Sequence, residues 1–173
     1  METGSNPEAV TTSASDKGNS VRVMKFAVAA FAIAFSGQAL AGDISPEANQ
    51  ELVAAHAKMP GVMVLPSGLQ YRVIKSGTGQ TPTADDTVKV SYKGTRVDGY
   101  VFDSTKPGET RNLPVRKLIP GWMEALSLMK EGDEWELLVP AKLAYGETRN
   151  NSDLWGQALL FNMQLVAVIH SNQ

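Results

Sequence analysis

Apolar and polar residues alternate with period two in several short runs between Leu65 and Ile169. That is the pattern of strands with one buried face. "LQYRVIK" sets Leu69, Tyr71 and Val73 on one face, and "TVKVSYKG" sets Val88, Val90 and Tyr92 against Lys89, Ser91 and Lys93. "EWELLVP" sets Trp135, Leu137 and Val139 against Glu134 and Glu136, and "ALLFNMQLVAVI" aligns Leu159, Phe161, Met163 and Leu165. Asp98-Gly99, between "TRV" and "YVFDS", marks a tight hairpin turn. About five strands are predicted. One stretch departs from period two: "LIPGWMEALSLMKEG" places Trp122, Leu126 and Met129 at i, i+4 and i+7, with Gly132 positioned to stop a helix. Strands joined by tight turns around one apolar helix predict an α+β fold, a curved antiparallel sheet wrapped over that helix.

The front of the chain reads differently. Residues 1–23 are mostly polar, show no apolar period and are expected to be a disordered tail or an upstream mis-start, with Met24 as the expected true start. Residues 24–41 read as a secretory signal peptide: Arg22 and Lys25 give a basic lead, Phe26 to Phe35 is unbroken apolar sequence, and Ala39-Leu40-Ala41 is a small-x-small cleavage pattern. The run is short of the roughly 20 residues a spanning helix needs. No cysteine follows it to carry a lipid. The expectation is an exported soluble protein, periplasmic or secreted, with no stable membrane anchor. Residues 42–64 read as a helical lead-in arm, with Ser45 as cap, Pro46 at the first position and Gly61 past its end. Residues 65–170 are the expected folded domain.

Composition narrows the chemistry. The 173 residues carry a net charge of −2, with a pI of about 5.7, so no basic surface for nucleic acid is expected. Absence of cysteine removes disulfides, zinc-thiolate sites and a cysteine nucleophile. The two histidines, His56 and His170, flank the strand region and are expected as ordinary surface residues. Neither a Ser-His-acid triad nor a histidine metal site is therefore predicted. "SGTGQ" at Ser76 to Gln80 lacks the further glycine and the lysine of a phosphate loop and reads as turn chemistry. Asp85-Asp86 and Glu134/Glu136 read as solvated acids. An enzyme built from this chain would work with no cofactor, metal or covalent nucleophile.

"LPSGLQYRVIKSGTG", "VKVSYKGTRVDGYVFDS", "LIPGWMEALSLMKEGDEWELLVP" and "LAYGE", in that order from about Leu65 to Ile169, together resemble bacterial FKBP-type peptidyl-prolyl cis-trans isomerases. The likeness is to the exported, macrophage-infectivity-potentiator-like group. The resemblance implies a curved sheet around a short helix, with a shallow apolar pocket between them. It implies Trp122 as the pocket floor, with one ring face open to a proline, and Tyr92, Phe102 and Phe161 as aromatic walls. Leu118 and Ile119 would line the approach, Asp103 would be the polar group at the rim, and Tyr145 would present a hydroxyl to a substrate carbonyl. Asp103 directly follows Phe102, so on a regular strand the two would point to opposite faces. Reaching one pocket requires a bend there. The implied partners are proline-containing unfolded or partly folded polypeptides, with macrocyclic inhibitors as possible ligands. The family's long helical dimerisation region has no counterpart in residues 43–63, which implies a monomer.

Two departures stand out. After "LAYG" the family runs through a glycine-rich loop into an Ile-Pro-Pro segment, whereas this chain reads "ETRNNSDLWGQALLF", with Leu154 and Trp155 as candidate substitutes for the lost wall. Leu113 stands where bacterial relatives usually carry phenylalanine. The altered loop, Glu147 to Gln157, favours a second reading, a non-catalytic peptide-binding module or chaperone for exported chains. A role in virulence or surface adhesion has no sequence feature of its own.

Overall fold

The alternation at residues 87–94 becomes the central strand of the domain. In the computed structural model, which describes residues 43–170, Val88, Val90 and Tyr92 are buried on one face of β3 (Thr87–Thr95). The expected tail (1–23) and signal segment (24–41) lie outside the described residues. The remaining elements are α1 (Pro46–His56), β1 (Met63–Val64), β2 (Gln70–Lys75), β4 (Val101–Ser104), β5 (Arg111–Pro114), α2 (Pro120–Leu126), β6 (Glu134–Val139) and β7 (Leu159–Ile169). Short 3-10 turns occupy Val115–Lys117 and Ala141–Leu143. The sheet runs β1-β2-β6-β7-β3-β4, with β5 also on β3, and every pairing is antiparallel. Among the described residues seven strands form where five are predicted. The two extra ones, "MV" and "RNLP", are short and largely exposed, so they carry no alternation to read.

The inward faces of β3, β6 and β7 meet α2. Leu69, Val88, Val90, Leu126, Met129, Leu137, Val139, Leu159 and Leu165 are fully buried there, each contributing about 1.5–3 kcal/mol of apolar burial. The Asp98-Gly99 hairpin forms as expected, with Gly99 at φ +81 and its N–H bonded to Arg96 O at 3.0 Å.

α2 ends sooner than its sequence pattern suggests. Ser127 caps it, so Met129 is buried outside the helix, and Gly132 (φ +92) serves the turn into β6. Tertiary bonds pull the chain out of the helix: Glu131 N–H donates to Gln80 O at 2.9 Å and Gly132 N–H to Leu165 O at 2.8 Å.

Three expectations for charged and titratable residues are corrected, two of them because α1 is fastened to the sheet. His56 is buried at 1% exposure. Its Nδ1 lies 2.8 Å from Gln70 Oε1 and its Nε2 3.3 Å from Glu136 Oε1, while Gln70 Nε2 donates to Val53 O at 2.9 Å. Glu136, on the supposedly solvated face of β6, is buried because α1 brings His56 over it and its cross-strand neighbour Arg72 pairs with it at 2.9 Å. Asp86 is also buried, accepting from Thr83 N at 2.7 Å and Thr83 Oγ1 at 2.8 Å. Asp85 does stay exposed, paired with Arg116. His170 is a surface residue as expected, bonded to Asp86 and Gln80.

The His56 hydrogen bond, helped by the Arg72 charge and opposed by burial, holds the Glu136 carboxyl below its ordinary value of 4.5. A carboxylate whose folded pKa is depressed adds stability that is present above its unfolded pKa and is lost as pH falls through the folded one. Stability should therefore drop on acidification below about pH 4.5. Glu136→Gln should remove part of that slope in thermal unfolding measured across this range. An unchanged slope in the variant would remove Glu136 from the acid response.

Candidate active site

The site starts from a glycine. A Cβ on Gly121 would sit 2.5 Å from Val139 Cγ1, so only glycine lets α2 approach β6 this closely. Trp122, the next residue, is thereby driven into the core at 3% exposure. Tyr92 from β3 meets it edge-on at 5.0 Å between ring centroids, and Phe161 from β7 does so at 5.2 Å. Phe102 from β4 lies edge-on to Phe161 at 5.7 Å. These T-shaped contacts are the favoured aromatic geometry. A second glycine makes room for them. Gly94 shares the inward face of β3 with Tyr92, and a Cβ there would lie 2.7 Å from Phe102 Cζ and 2.8 Å from Phe161 Cε1.

The bend required between Phe102 and Asp103 is a β-bulge. Gly94 pairs with Asp103 and Thr95 with Val101, leaving Phe102 as the extra residue. Phe102 reaches the Phe161 ring while Asp103 Oδ2 accepts from the Tyr92 hydroxyl at 2.5 Å. Arg111 completes this group. Its Nη1 donates to Tyr92 Oη at 2.6 Å and to Asp103 Oδ1 at 2.9 Å, and its Nη2 donates to Ser104 O at 3.1 Å. Burial, and then the hydrogen bond to Asp103, push the Tyr92 phenol up to about 12, so it stays a protonated donor. Asp103 raises Arg111 above its already high value. The sequence does not single out Arg111, which sits on the unpredicted β5 inside the polar run "ETRN". Nothing local to that run marks it, because its partners lie 8 and 19 residues away.

Leu118 and Ile119, just before α2, are partly buried and pack on the hydrophobic core, as do Leu113 and Leu154. Tyr145 is 38% exposed, and burial followed by the Asp103 charge raises its phenol as well. One expectation is corrected. Trp122 anchors α2 but shows almost no open ring face in this conformation: it is 3% exposed, with Tyr92 and Phe161 against its ring. Its Nε1 has no hydrogen-bond partner among the described residues.

The altered loop has an ordered design of its own. Gly156 N–H donates to Gly146 O at 2.7 Å, closing the loop at its neck. Inside it, Asn150 Nδ2 donates to Tyr145 O at 2.6 Å, and Asn150 Oδ1 accepts from Ser152 N at 2.8 Å. Of the two candidate wall residues, Leu154 turns to the core and Trp155 stays 40% exposed. Trp155 instead borders a groove of about 440 Å³ with Val53, Ala54, Pro140 and Ala141, whose lining does not include Trp122. Among the described residues no group of three or more His, Asp or Glu converges as a metal site. No described helix is long and apolar enough to cross a membrane.

Comparison with known proteins agrees with this fold. The family described as FKBP-type peptidyl-prolyl cis-trans isomerase matches residues 78–166. The chain is 48% identical over 118 residues to outer membrane protein MIP of Legionella longbeachae, covering 67% of this chain and 51% of that protein. It is 42% identical over 124 residues to the peptidyl-prolyl cis-trans isomerase Mip of Coxiella burnetii, covering 70% and 54%. The chain thus spans about half the length of these relatives. Among solved structures, FkpA from Escherichia coli matches with a TM-score of 0.69 at 34% identity, over 76% of this chain and 62% of that one. A peptidyl-prolyl cis-trans isomerase from Pseudomonas syringae pv. tomato matches with a TM-score of 0.65 at 32% identity, over 72% of this chain and 92% of that one. By sequence and by fold, the chain belongs to the FKBP-type peptidyl-prolyl cis-trans isomerases.

Proposed function

We propose that this protein accelerates rotation about Xaa-Pro bonds in exported polypeptides, by non-covalent stabilisation of the twisted amide between α2 and the sheet. The observation that carries this reading is Trp122 framed edge-on by Tyr92 and Phe161, beside the Tyr92–Asp103–Arg111 group. Rotation of a peptide bond faces a barrier of about 18–20 kcal/mol, because amide resonance must be broken. Xaa-Pro bonds interconvert in tens to hundreds of seconds, slowly enough to limit folding. A catalyst need only bind the twisted amide more tightly than either planar form, at about 1.4 kcal/mol per tenfold in rate. A twisted amide has lost charge separation and is cheaper to desolvate, so an apolar aromatic pocket discriminates in the required sense.

In this reading Trp122, Phe102 and Phe161 grip the proline ring, and Leu118 and Ile119 line its approach. Tyr145, a protonated and half-exposed phenol, donates to the neighbouring carbonyl. Because the Trp122 ring is covered, capture requires the rim side chains to part. The Tyr92–Asp103–Arg111 group holds the β3 and β4 walls while they do so.

The test is cis-to-trans conversion of a short Xaa-Pro peptide by the full chain, expected to run at least about tenfold faster than the uncatalysed step. A folded protein that binds the peptide without accelerating it would instead be the non-catalytic module. A macrocyclic inhibitor should compete in the same assay if the pocket is the family's. Export rests on the basic lead, apolar run and Ala39-Leu40-Ala41 pattern. A mature N-terminus other than Gly42 would contradict that cleavage.

A further inference from the structure

We propose that Asn49 of α1 is a positioning residue for the pocket-side loop 147–157, which makes α1 part of the substrate site. The proposal rests on the isomerase reading above. Asparagine is a poor residue for a helix interior, and a buried amide is costly unless fully bonded. Asn49 is 6% exposed and bonded through both Nδ2 and Oδ1. Its Nδ2 donates to Ile44 O at 3.2 Å and to Ser45 O at 2.9 Å, which would be enough to tidy the start of α1. The same group also lies 3.3 Å from Gln157 Oε1, sharing one of its two hydrogens, and Oδ1 accepts from Ala158 N at 2.7 Å. Gln157 is itself buried, and its Nε2 returns to Ile44 O at 3.1 Å.

These last three bonds fix residues 157 and 158, where the loop enters β7. From there the path to the site is continuous. Gly156 N–H holds Gly146 O, Gly146 follows Tyr145, and Asn150 holds Tyr145 O from inside the loop. Leu154 packs on the hydrophobic core within the same closed segment. The loop that has lost its Ile-Pro-Pro segment is held in place by an amide from outside the region the family matches, residues 78–166. The carbonyl-facing hydroxyl and the substitute wall therefore take their positions partly from α1.

Spatial continuity alone does not establish coupling, so the test reads substrate capture and the clasp separately. In the full chain, Asn49→Ala should raise the KM for an Xaa-Pro peptide roughly three- to tenfold, with a smaller change in kcat. It should also speed hydrogen exchange of the Ala158 amide. Ser45→Ala removes the α1 cap, whose Oγ accepts from Ala48 N at 3.2 Å, but touches no loop group, so it should leave KM unchanged. Should Asn49→Ala fail to fold, Gln157→Met removes only the loop half of the clasp and should raise KM in the same direction. A folded Asn49→Ala protein with a freed Ala158 amide and an unchanged or lower KM overturns the proposal, as does a Ser45→Ala protein with an equal rise. Wild-type acceleration is measured first. Its absence removes the isomerase reading and this one together, whereas acceleration with an unmoved KM removes this one alone.

Discussion

Trp122→Ala should cost the domain about 3–5 kcal/mol of stability, the range for truncating a large buried aromatic, and should abolish capture of proline peptides. The indole is 3% exposed and in edge contact with Tyr92 and Phe161, so alanine leaves a cavity whose walls lose their partner. A loss of that size is a large fraction of the roughly 5–15 kcal/mol that holds a typical domain together. Trp122→Phe separates stability from function. Because Nε1 has no partner among the described residues, phenylalanine forfeits ring area but no hydrogen bond. It should cost about 1–2 kcal/mol and retain part of the activity. Denaturant midpoints and kcat/KM for all three proteins decide the matter. A folded Trp122→Ala protein with wild-type kcat/KM would show that the indole is core and nothing more.

Asp103→Leu should separate activity from stability, lowering kcat/KM by about tenfold or more while leaving stability nearly intact. The Asp103–Arg111 pair is 39% and 47% exposed in its two side chains, and pairs so open to solvent contribute about 0–1 kcal/mol. What the substitution removes is the acceptor of the Tyr92 hydroxyl and the partner of Arg111 at the pocket wall. Arg111→Leu tells how the carboxylate acts. If the three side chains work as one brace for Tyr92, Arg111→Leu should mirror Asp103→Leu. If the carboxylate acts through its own field on the amide, baring it should preserve or raise turnover. Unchanged turnover in a folded Asp103→Leu protein would sink the role given to this aspartate.

Much of the site is legible in the amino-acid sequence, and the reason differs from residue to residue. Tyr92 and Phe161 fall on core faces because a strand's side chains alternate, and Val88, Val90, Leu159 and Met163 mark which face is inward. The roles proposed for Phe102, Leu118, Ile119, Asp103 and Tyr145 rest on resemblance, since nothing in their own spacing specifies a pocket. Arg111 escapes notice because it lies on a short polar strand that exists only through pairing with β3. His56 and Glu136 look solvated in the sequence because their burial depends on α1 lying across β2 and β6. The bonds that bury His56 span 14 and 80 positions of the chain.

The amino-acid sequence by itself determined the elements whose cause is local. These are the period-two faces of β3 and β7, the Asp98-Gly99 turn, the start of α1 at Ser45-Pro46, and the absence of cysteine chemistry. Only the tertiary structure decided the rest. It set the early end of α2, the bulge that turns Phe102 and Asp103 to one side, and the close approaches at Gly94 and Gly121. It also set the Arg111 brace, the cover over Trp122 and the clasp from α1 to the loop. Periodicity is dictated by each residue's own backbone geometry and by which side meets water. Register, bulges and hydrogen-bond partners are chosen between segments far apart in the chain, and are settled only when those segments pack.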